Sequence, residues 1–299
     1  MTFLLAHLTD PHIGPLPRPR RRDLMGKRLT GYINWRGGRD KVHDMEALAR
    51  LVDDMKAQKP DHIAMTGDVL NIGLIAEYPQ AKLWLETLGD PRDVSFTPGN
   101  HDAYVRSTLP QLASTFAAWA RDDDSPDTDK AHYPYLRVRD YVALIGLSSA
   151  VPTAPFIASG TLGERQLAEF SRLLGEARER GLARVVLIHH PPMRVGAPAA
   201  RGLTDARGFE AVIREHGAEL VLHGHNHRAS VHHVEGPGGR AVPIVGCASA
   251  SLVRGRARAA YHLFRFSKPH GRLRIEARAR GLMPGGAEIG ELGALSLEP

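Results

Sequence analysis

The sequence predicts an α/β domain, and three observations carry that expectation. Short apolar runs alternate with segments whose apolar residues recur every three or four positions, the pattern of strands joined by amphipathic helices. Several of the apolar runs end in Asp, Asn or His rather than in ordinary turn residues. After residue 240 strands follow one another without helices between them, which implies antiparallel pairing.

Residues 3–8 read as a buried strand ending at Thr9-Asp10-Pro11. Residues 40–57 read as a helix, because Val42, Met45, Leu48, Val52 and Met55 make one apolar stripe. Asp40 is placed to cap it and Pro60 lies past its end. Residues 61–66 form a strand leading into Gly67-Asp68. A helix over 76–89 precedes a short strand, 93–97, that runs into Pro98-Gly99-Asn100-His101-Asp102. A helix over 107–121 and a strand over 141–148 follow. Residues 163–180 are helical, with Leu167, Phe170, Leu173 and Leu174 on one side. A strand over 184–188 ends at His189-His190-Pro191-Pro192. Residues 205–216 are helical, and the strand 219–222 ends at His223-Gly224-His225-Asn226-His227.

Residues 242–247, 260–266 and 272–280 read as the C-terminal strands, and 283–299 as a tail. In the last strand Leu273, Ile275, Ala277 and Ala279 alternate with Arg272, Arg274, Glu276, Arg278 and Arg280. That alternation marks a half-buried strand with a charged outer face.

Composition bounds the function. With 42% hydrophobic and 24% charged residues over 299 positions, the chain is globular and can bury roughly three quarters of its unfolded surface in one domain. A single cysteine, Cys247, excludes an intramolecular disulfide and a cysteine-rich zinc module. The N-terminus lacks the basic region of a signal peptide, and no apolar stretch approaches the ~20 residues of a membrane span. A cytoplasmic, soluble protein is expected.

The net charge of +6 is uneven. Residues 15–41 carry +7 and residues 253–281 carry +8, so the rest of the chain is net negative. Such segments suit phosphates, nucleic acid or an anionic membrane surface. The alternation at 272–280 assigns much of the second one to the wet face of a sheet. The acidic stretch 122–129 lacks the glycine and terminal glutamate of a calcium loop and reads as solvated.

Five strand ends carry metal-type ligands: Asp10 and His12; Asp68; Asn100 and His101; His189; His225 and His227. Strand C-termini in an α/β sheet converge on one edge, where ligands bind. Each segment alone has an ordinary reading as a turn or a cap, but five in order, with oxygen and imidazole ligands only, point to one site. His7 reads as a core histidine and His223 as structural, with His232 and His233 on the surface or the outer sheet.

This ordered set resembles the calcineurin-like metallophosphoesterases: Asp10-x-His12, Gly67-Asp68, Gly99-Asn100-His101-Asp102, His189 and Gly224-His225-Asn226-His227. The closer likeness is to the bacterial cyclic-nucleotide and glycerophosphodiester phosphodiesterases, through Leu29-Thr30-Gly31-Tyr32-Ile33-Asn34, Gly67-Asp68-Val69-Leu70-Asn71 and His189-His190-Pro191-Pro192. The resemblance implies a four-layer αββα sandwich of two mixed β-sheets with flanking helices, spanning 1–299 as a single domain. Residues 14–39 would be a basic insertion near the active site, and 240–282 would supply strands of the second sheet.

The resemblance also implies two metal ions (Mn, Fe or Zn). Asp10, His12, Asp68 and His227 would hold the first, and Asp68, Asn100, His189 and His225 the second. A bridging hydroxide would attack the phosphoester, with the leaving oxygen protonated by His101 and Asp102 orienting that imidazole. Substrate would contact His101, His190 at the pocket rim and Asn71. Thiolate-free oxygen and imidazole ligands independently suit these metals. The expected substrate is a small-molecule phosphoester such as a cyclic nucleotide or a glycerophosphodiester.

Three alternatives stand beside this. One is a lipid-linked nucleotide diphosphate pyrophosphatase of the UDP-diacylglucosamine type, touching the membrane through residues 15–39, where arginines mix with Leu24, Met25, Leu29, Tyr32, Ile33 and Trp35. Another is a nuclease, disfavoured because no aromatic-interleaved platform for single strands is evident. The third is a non-catalytic scaffold, disfavoured because the ligand set is complete. The oligomeric state is open, a homodimer included.

Overall fold

The computed structural model describes residues 2–125, 129–195, 197–255, 258–286 and 288–299, with Asp40 described by its backbone alone. Part of the acidic stretch, 126–128, therefore lies outside the described residues. The described part of the stretch is largely exposed, and its flank is also tied to the strand beside it: Asp122 Oδ1 accepts the Leu136 N–H and Asp123 pairs with Arg139.

Two six-stranded sheets stack face to face. The first has the order β12 (Ile289–Leu295), β11 (Arg274–Leu282), β10 (Ala260–Ser267), β1 (Thr2–Leu8), β2 (His62–Met65), β3 (Val94–Phe96). The second runs β4 (Tyr135–Arg139), β5 (Val142–Gly146), β6 (Ala183–Leu187), β7 (Leu220–His223), β9 (Ala241–Gly246), β8 (Ser230–Glu235). β1, β2 and β3 are parallel, as are β5, β6, β7 and β9. Both sheets are thus mixed.

The period-two alternation of β1 creates the layers. Phe3 and Leu5 enter the space between the sheets, against Leu144, Leu187, Leu222 and Phe264. Leu4, Ala6 and Leu8 face the other way, against Leu51 and Met55 of α2 (Met45–Ala57) and Leu85 of α3 (Glu77–Leu88). Val186 and Val221 on the outer face of the second sheet meet Phe170 of α5 (Glu164–Glu179) and Phe209 of α6 (Ala206–His216). The result is the expected helix–sheet–sheet–helix sandwich.

Four local expectations change. The first long helix starts at Met45, not 40, because Asp44 caps it, accepting from the N–H groups of Glu46 and Ala47 at 2.8 and 2.9 Å. The segment 107–121 breaks into the short α4 (Leu109–Thr115) between two tight turns, with Phe116 and Trp119 turned into the core. Residues 240–282 do not form the second sheet: only β9 joins it. β10 instead pairs with β1, placing Phe264 opposite Leu5 and Phe266 opposite Phe3, and β11 follows it. The expected tail contains β12, which pairs with β11.

Within the basic insertion lies a helix that no periodicity announced, α1 (Lys27–Arg36). None of its residues is fully buried, so it lacks the apolar stripe by which helices are read. Tyr32 and Trp35 rest on Leu16, Ile72, Leu74 and Tyr104 at the cleft.

Candidate metal centre

The C-terminal ends of β1, β2, β3, β6 and β7 deliver the seven expected ligands to one place. The backbone there is held in costly conformations. Asp10, His12, Asp68, His225 and His227 all have positive φ, between 43° and 66°. Each costs of order 1–3 kcal/mol for a non-glycine residue, and such strain persists only where the surroundings fix it. Gly99 admits the closest approach: a Cβ there would fall against Asp68 Oδ1 and 2.6 Å from His189 Cε1.

The donor atoms face one another without the hydrogens that would join them. His12 donates from Nδ1 to the Leu70 carbonyl at 3.0 Å. Burial, Arg39 and His43 lower its pKa well below the usual value, so its Nε2 presents a lone pair. That atom lies 3.3 Å from His227 Nε2 and 4.0 Å from Asp68 Oδ2. Asp10 Oδ2 accepts from Thr9 Oγ1 and from the His225 N–H. Its Oδ1 makes no hydrogen bond, though it is buried and lies 3.1 Å from His227 Nε2. An unpaired carboxylate oxygen and imidazole lone pairs around one point fit a cation.

The second half gathers the same kinds of donor, with a proton shared between His189 and Asp68 in the place a cation would take. His189 donates from Nδ1 to the Thr66 carbonyl at 2.7 Å, leaving Nε2 directed at Asn100 Oδ1 (3.3 Å), His225 Nδ1 (3.3 Å) and Asp68 Oδ2 (3.4 Å). Asp68 Oδ2 therefore stands between His12 and His189, on the seam of the two clusters. Burial works against the Asp68 carboxylate, but His189 and His101 outweigh it and hold its pKa well below the ordinary value. Burial pulls His189 down, and Asp68 overrides that and lifts it to about 9.

The remaining expected residues are placed differently. His101 lines the cleft, with Nδ1 donating to the Asn71 carbonyl and Nε2 accepting from Arg39 Nη1 at 3.0 Å. Asp102 does not orient it: the Asp102 carboxylate accepts from the backbone N–H groups of Asp68 (2.8 Å), Gly99 (2.8 Å) and Leu70 (3.0 Å). Asn71 lines the cleft, but its side-chain amide is engaged with the Ile13 carbonyl. His190 is fully buried, both ring nitrogens paired with Ser149 Oγ and the Ala158 carbonyl, and it lies behind His189 and His225 rather than at a rim. Consecutive strand residues face opposite sides, and the ligand-side position goes to His189.

A cleft of about 970 Å³ opens over the cluster. Its cationic lining comes partly from the expected basic insertion, Lys27 and Arg39, which also reaches His12 Nε2 at 2.8 Å, and partly from Arg201, which sequence reasoning missed. Lys27 crosses to Thr153 Oγ1 and the Ile157 carbonyl, tying α1 to the loop opposite. Sequence reasoning also missed Glu77, whose buried carboxylate accepts from the N–H groups of Asn71, Ile72 and Leu74 and fixes the loop that carries Asn71. The charge of residues 15–41 flagged the region, but nothing in the sequence singled out Arg39.

The sandwich and the gathered donor atoms fit a metal-dependent phosphoesterase, and the comparisons agree. The profile of the calcineurin-like phosphoesterases matches residues 3–229. The chain belongs to that family and is a metal-dependent phosphoester hydrolase. It is 28% identical over 234 residues to a probable cyclic nucleotide phosphodiesterase of Synechococcus sp., covering 77% of this chain and 76% of that one. It is 26% identical over 240 residues to the glycerophosphodiester phosphodiesterase GpdQ of Enterobacter lignolyticus, covering 77% and 72%. Its fold resembles a dimetal phosphatase from Danio rerio, with a TM-score of 0.64 at 12% identity over 98% of this chain and 99% of that one. Among the described residues no helix is long and apolar enough to cross a membrane.

Proposed function

We propose that the protein is a phosphodiesterase acting on a cyclic nucleotide or a glycerophosphodiester. The observation that carries this is Asp68 Oδ2 lying within 4.0 Å of His12 Nε2 and 3.4 Å of His189 Nε2, the position of a carboxylate shared by two ions. Asp10, His12, Asp68 and His227 would hold one ion, and Asp68, Asn100, His189 and His225 the other. Mn, Fe or Zn suits these oxygen and imidazole donors. Bound there, the ions supply Lewis acidity and lower the pKa of water to about 7.

The chain's own residues do the rest. Arg39, Arg201 and Lys27 give the cleft the positive charge that a phosphate anion needs. Arg39 Nη1 donates to His101 Nε2 at 3.0 Å. An anionic phosphate offers the guanidinium a stronger partner and frees that nitrogen. Burial and Arg39 hold the His101 pKa down at about 3; with Arg39 drawn to an anionic phosphate, the ring, held at Nδ1 by the Asn71 carbonyl, takes up a proton from solvent at Nε2 for the leaving oxygen. Asp102 and Glu77 hold the backbone that places Asp68 and Asn71.

The lipid-linked nucleotide diphosphate reading has one supporting observation. Met25 just before α1, Leu29 and Ile33 on it, and Phe156 on the loop opposite are exposed apolar side chains, with Ile33 and Phe156 at the cleft itself. Basic Arg20, Arg21 and Arg22 adjoin them, a mixture that suits an anionic membrane surface.

The deciding experiment is a side-by-side assay of Mn-, Fe- and Zn-loaded protein. Its substrates are bis(p-nitrophenyl) phosphate, cyclic nucleotides, glycerophosphodiesters, phosphomonoesters and a lipid-linked nucleotide diphosphate with and without anionic vesicles. Cleavage of the diesters ahead of the monoesters is expected. Turnover confined to the lipid substrate on vesicles would select the second reading. Failure on every phosphoester would remove both.

A further inference from the structure

We propose that a fully buried side-chain cluster between the two sheets, beneath the candidate dinuclear centre, binds a thiophilic d10 cation, Cu+ or Zn2+, through Cys247, His7 and His262. One donor atom from each of these three residues lies within 4.8 Å of the other two. All three side chains are fully buried.

The polar inventory of this cluster does not close without a ligand. His7 Nε2 meets Thr66 Oγ1 at 2.8 Å, but its Nδ1 has no partner. Neither ring nitrogen of His262 has one. The neighbouring His223 uses Nδ1 toward the Gly224 carbonyl and leaves Nε2 unpaired. The Cys247 thiol donates weakly to the Ala260 carbonyl at 3.5 Å, while three ring nitrogens of the two clustered histidines and one of His223 stay unpaired, well above the native norm, where nearly every buried polar atom is satisfied. Burial keeps the two clustered imidazoles neutral, the His262 ring down to about 4. Neutral imidazole is the form that ligates a metal.

The chemistry differs from that of the oxygen-rich centre above. Cys247 is the chain's sole cysteine, and thiolate with imidazole selects Cu+ and Zn2+ over Mn2+. Burial pushes the Cys247 thiol well up, so the S–H bond breaks only as the sulfur–metal bond forms, and the proton leaves to solvent. Two imidazoles and one thiolate carry a single negative charge. Cu+ makes the buried group neutral and Zn2+ leaves one positive charge, so the dry interior favours Cu+.

The cluster also spans the interface of the layers. His7 on β1 stands opposite His262 on β10 in the first sheet. Cys247 follows β9 of the second sheet, and its N–H donates to the His223 carbonyl at the end of β7. A cation there would fasten one sheet to the other directly under the loops bearing Asp10 and His225.

The test loads Mn2+-saturated full-length protein with Zn2+, or anaerobically with Cu+, and records X-ray absorption at the edge of the added metal. A metal–sulfur shell at about 2.3 Å is expected, together with a higher Tm, because a ligand bound only to the folded state stabilises it. Cys247→Ser should lose the sulfur shell and the Tm gain, and His262→Leu should lose the gain. The edge that shows sulfur identifies which cation the site prefers. Co2+ serves as a second probe on the wild type, since a thiolate-to-cobalt absorption band can come from Cys247 alone, whether or not the variants fold. Absence of sulfur scattering and of that band in the wild type, or an unchanged Tm gain in Cys247→Ser, would overturn the site.

Discussion

The carboxylate of Asp102 accepts the backbone N–H of Asp68 at 2.8 Å. The same group accepts from Gly99 and Leu70, so one buried side chain ties the loop after β2 to the loop after β3. Asp68 sits at φ 56°, a conformation that needs such a clamp. The aspartate following His101 is thus a positioning residue for a candidate metal ligand.

Asp102→Asn should weaken metal binding about 10–100-fold, the range for losing a partner that orients a ligand. The amide keeps one acceptor oxygen and turns its NH2 toward N–H groups, so stability should fall by about 1–3 kcal/mol without loss of the fold. Calorimetric metal titration and thermal unfolding of the metal-free protein give the two numbers. Unchanged affinity would show that Asp68 needs no clamp.

Asp68→Ala removes the one oxygen that faces both halves of the cluster. Metal content should drop from two ions per chain to none, whereas Asp10→Ala should cost mainly the ion beside His12 and His227. Elemental analysis after dialysis distinguishes them. Two ions retained by Asp68→Ala would contradict a shared carboxylate.

The site was more legible than the sheets around it. Asp10, Asp68, Asn100, His189 and His225 announced themselves because each interrupts an apolar run at a strand exit, and parallel strands must bring those exits together. The partner of each C-terminal strand was not legible, because alternation fixes which face is buried and not which neighbour pairs. Thus β10 went to β1, and the glycine-containing β12 read as tail. Asp102 and His190 were misplaced for a related reason. Proximity in sequence suggested that they serve His101 and the substrate, while backbone direction sends one to the loop N–H groups and the other behind the site.

Arg280 of β11 holds Asp54 of α2 through two 2.8 Å bonds, and Tyr261 of β10 adds a third. Burial raises the Asp54 pKa, but the bonds from Arg280 and Tyr261 outweigh it and leave the value below normal. A depressed folded pKa adds stability that is present above the unfolded value of about 3.9 and is lost as pH falls through the folded one. Tm of the wild type should therefore decline more steeply below about pH 4 than that of Asp54→Asn, and Asp54→Asn should be the less stable of the two at pH 7. Parallel Tm–pH curves would remove this contact from the acid response.

His101 is set apart from the expected ligands by its bonds: Asn71 takes Nδ1 and Arg39 faces Nε2, so no ring nitrogen is directed at Asp10 or Asp68. His101→Ala should therefore keep two ions per chain. Its effect on turnover should depend on the leaving group. An alkoxide such as glycerol or ribose departs only with a proton, and losing a positioned donor costs about 10²–10⁴-fold. A p-nitrophenolate departs unaided, so bis(p-nitrophenyl) phosphate should be hydrolysed at a rate much closer to that of the wild type. Equal losses on both substrates would mean that the imidazole stabilises charge on the phosphoryl group instead. That outcome would move the proton donor to another group lining the cleft, Lys27 with its pKa lowered by burial to about 8 among them.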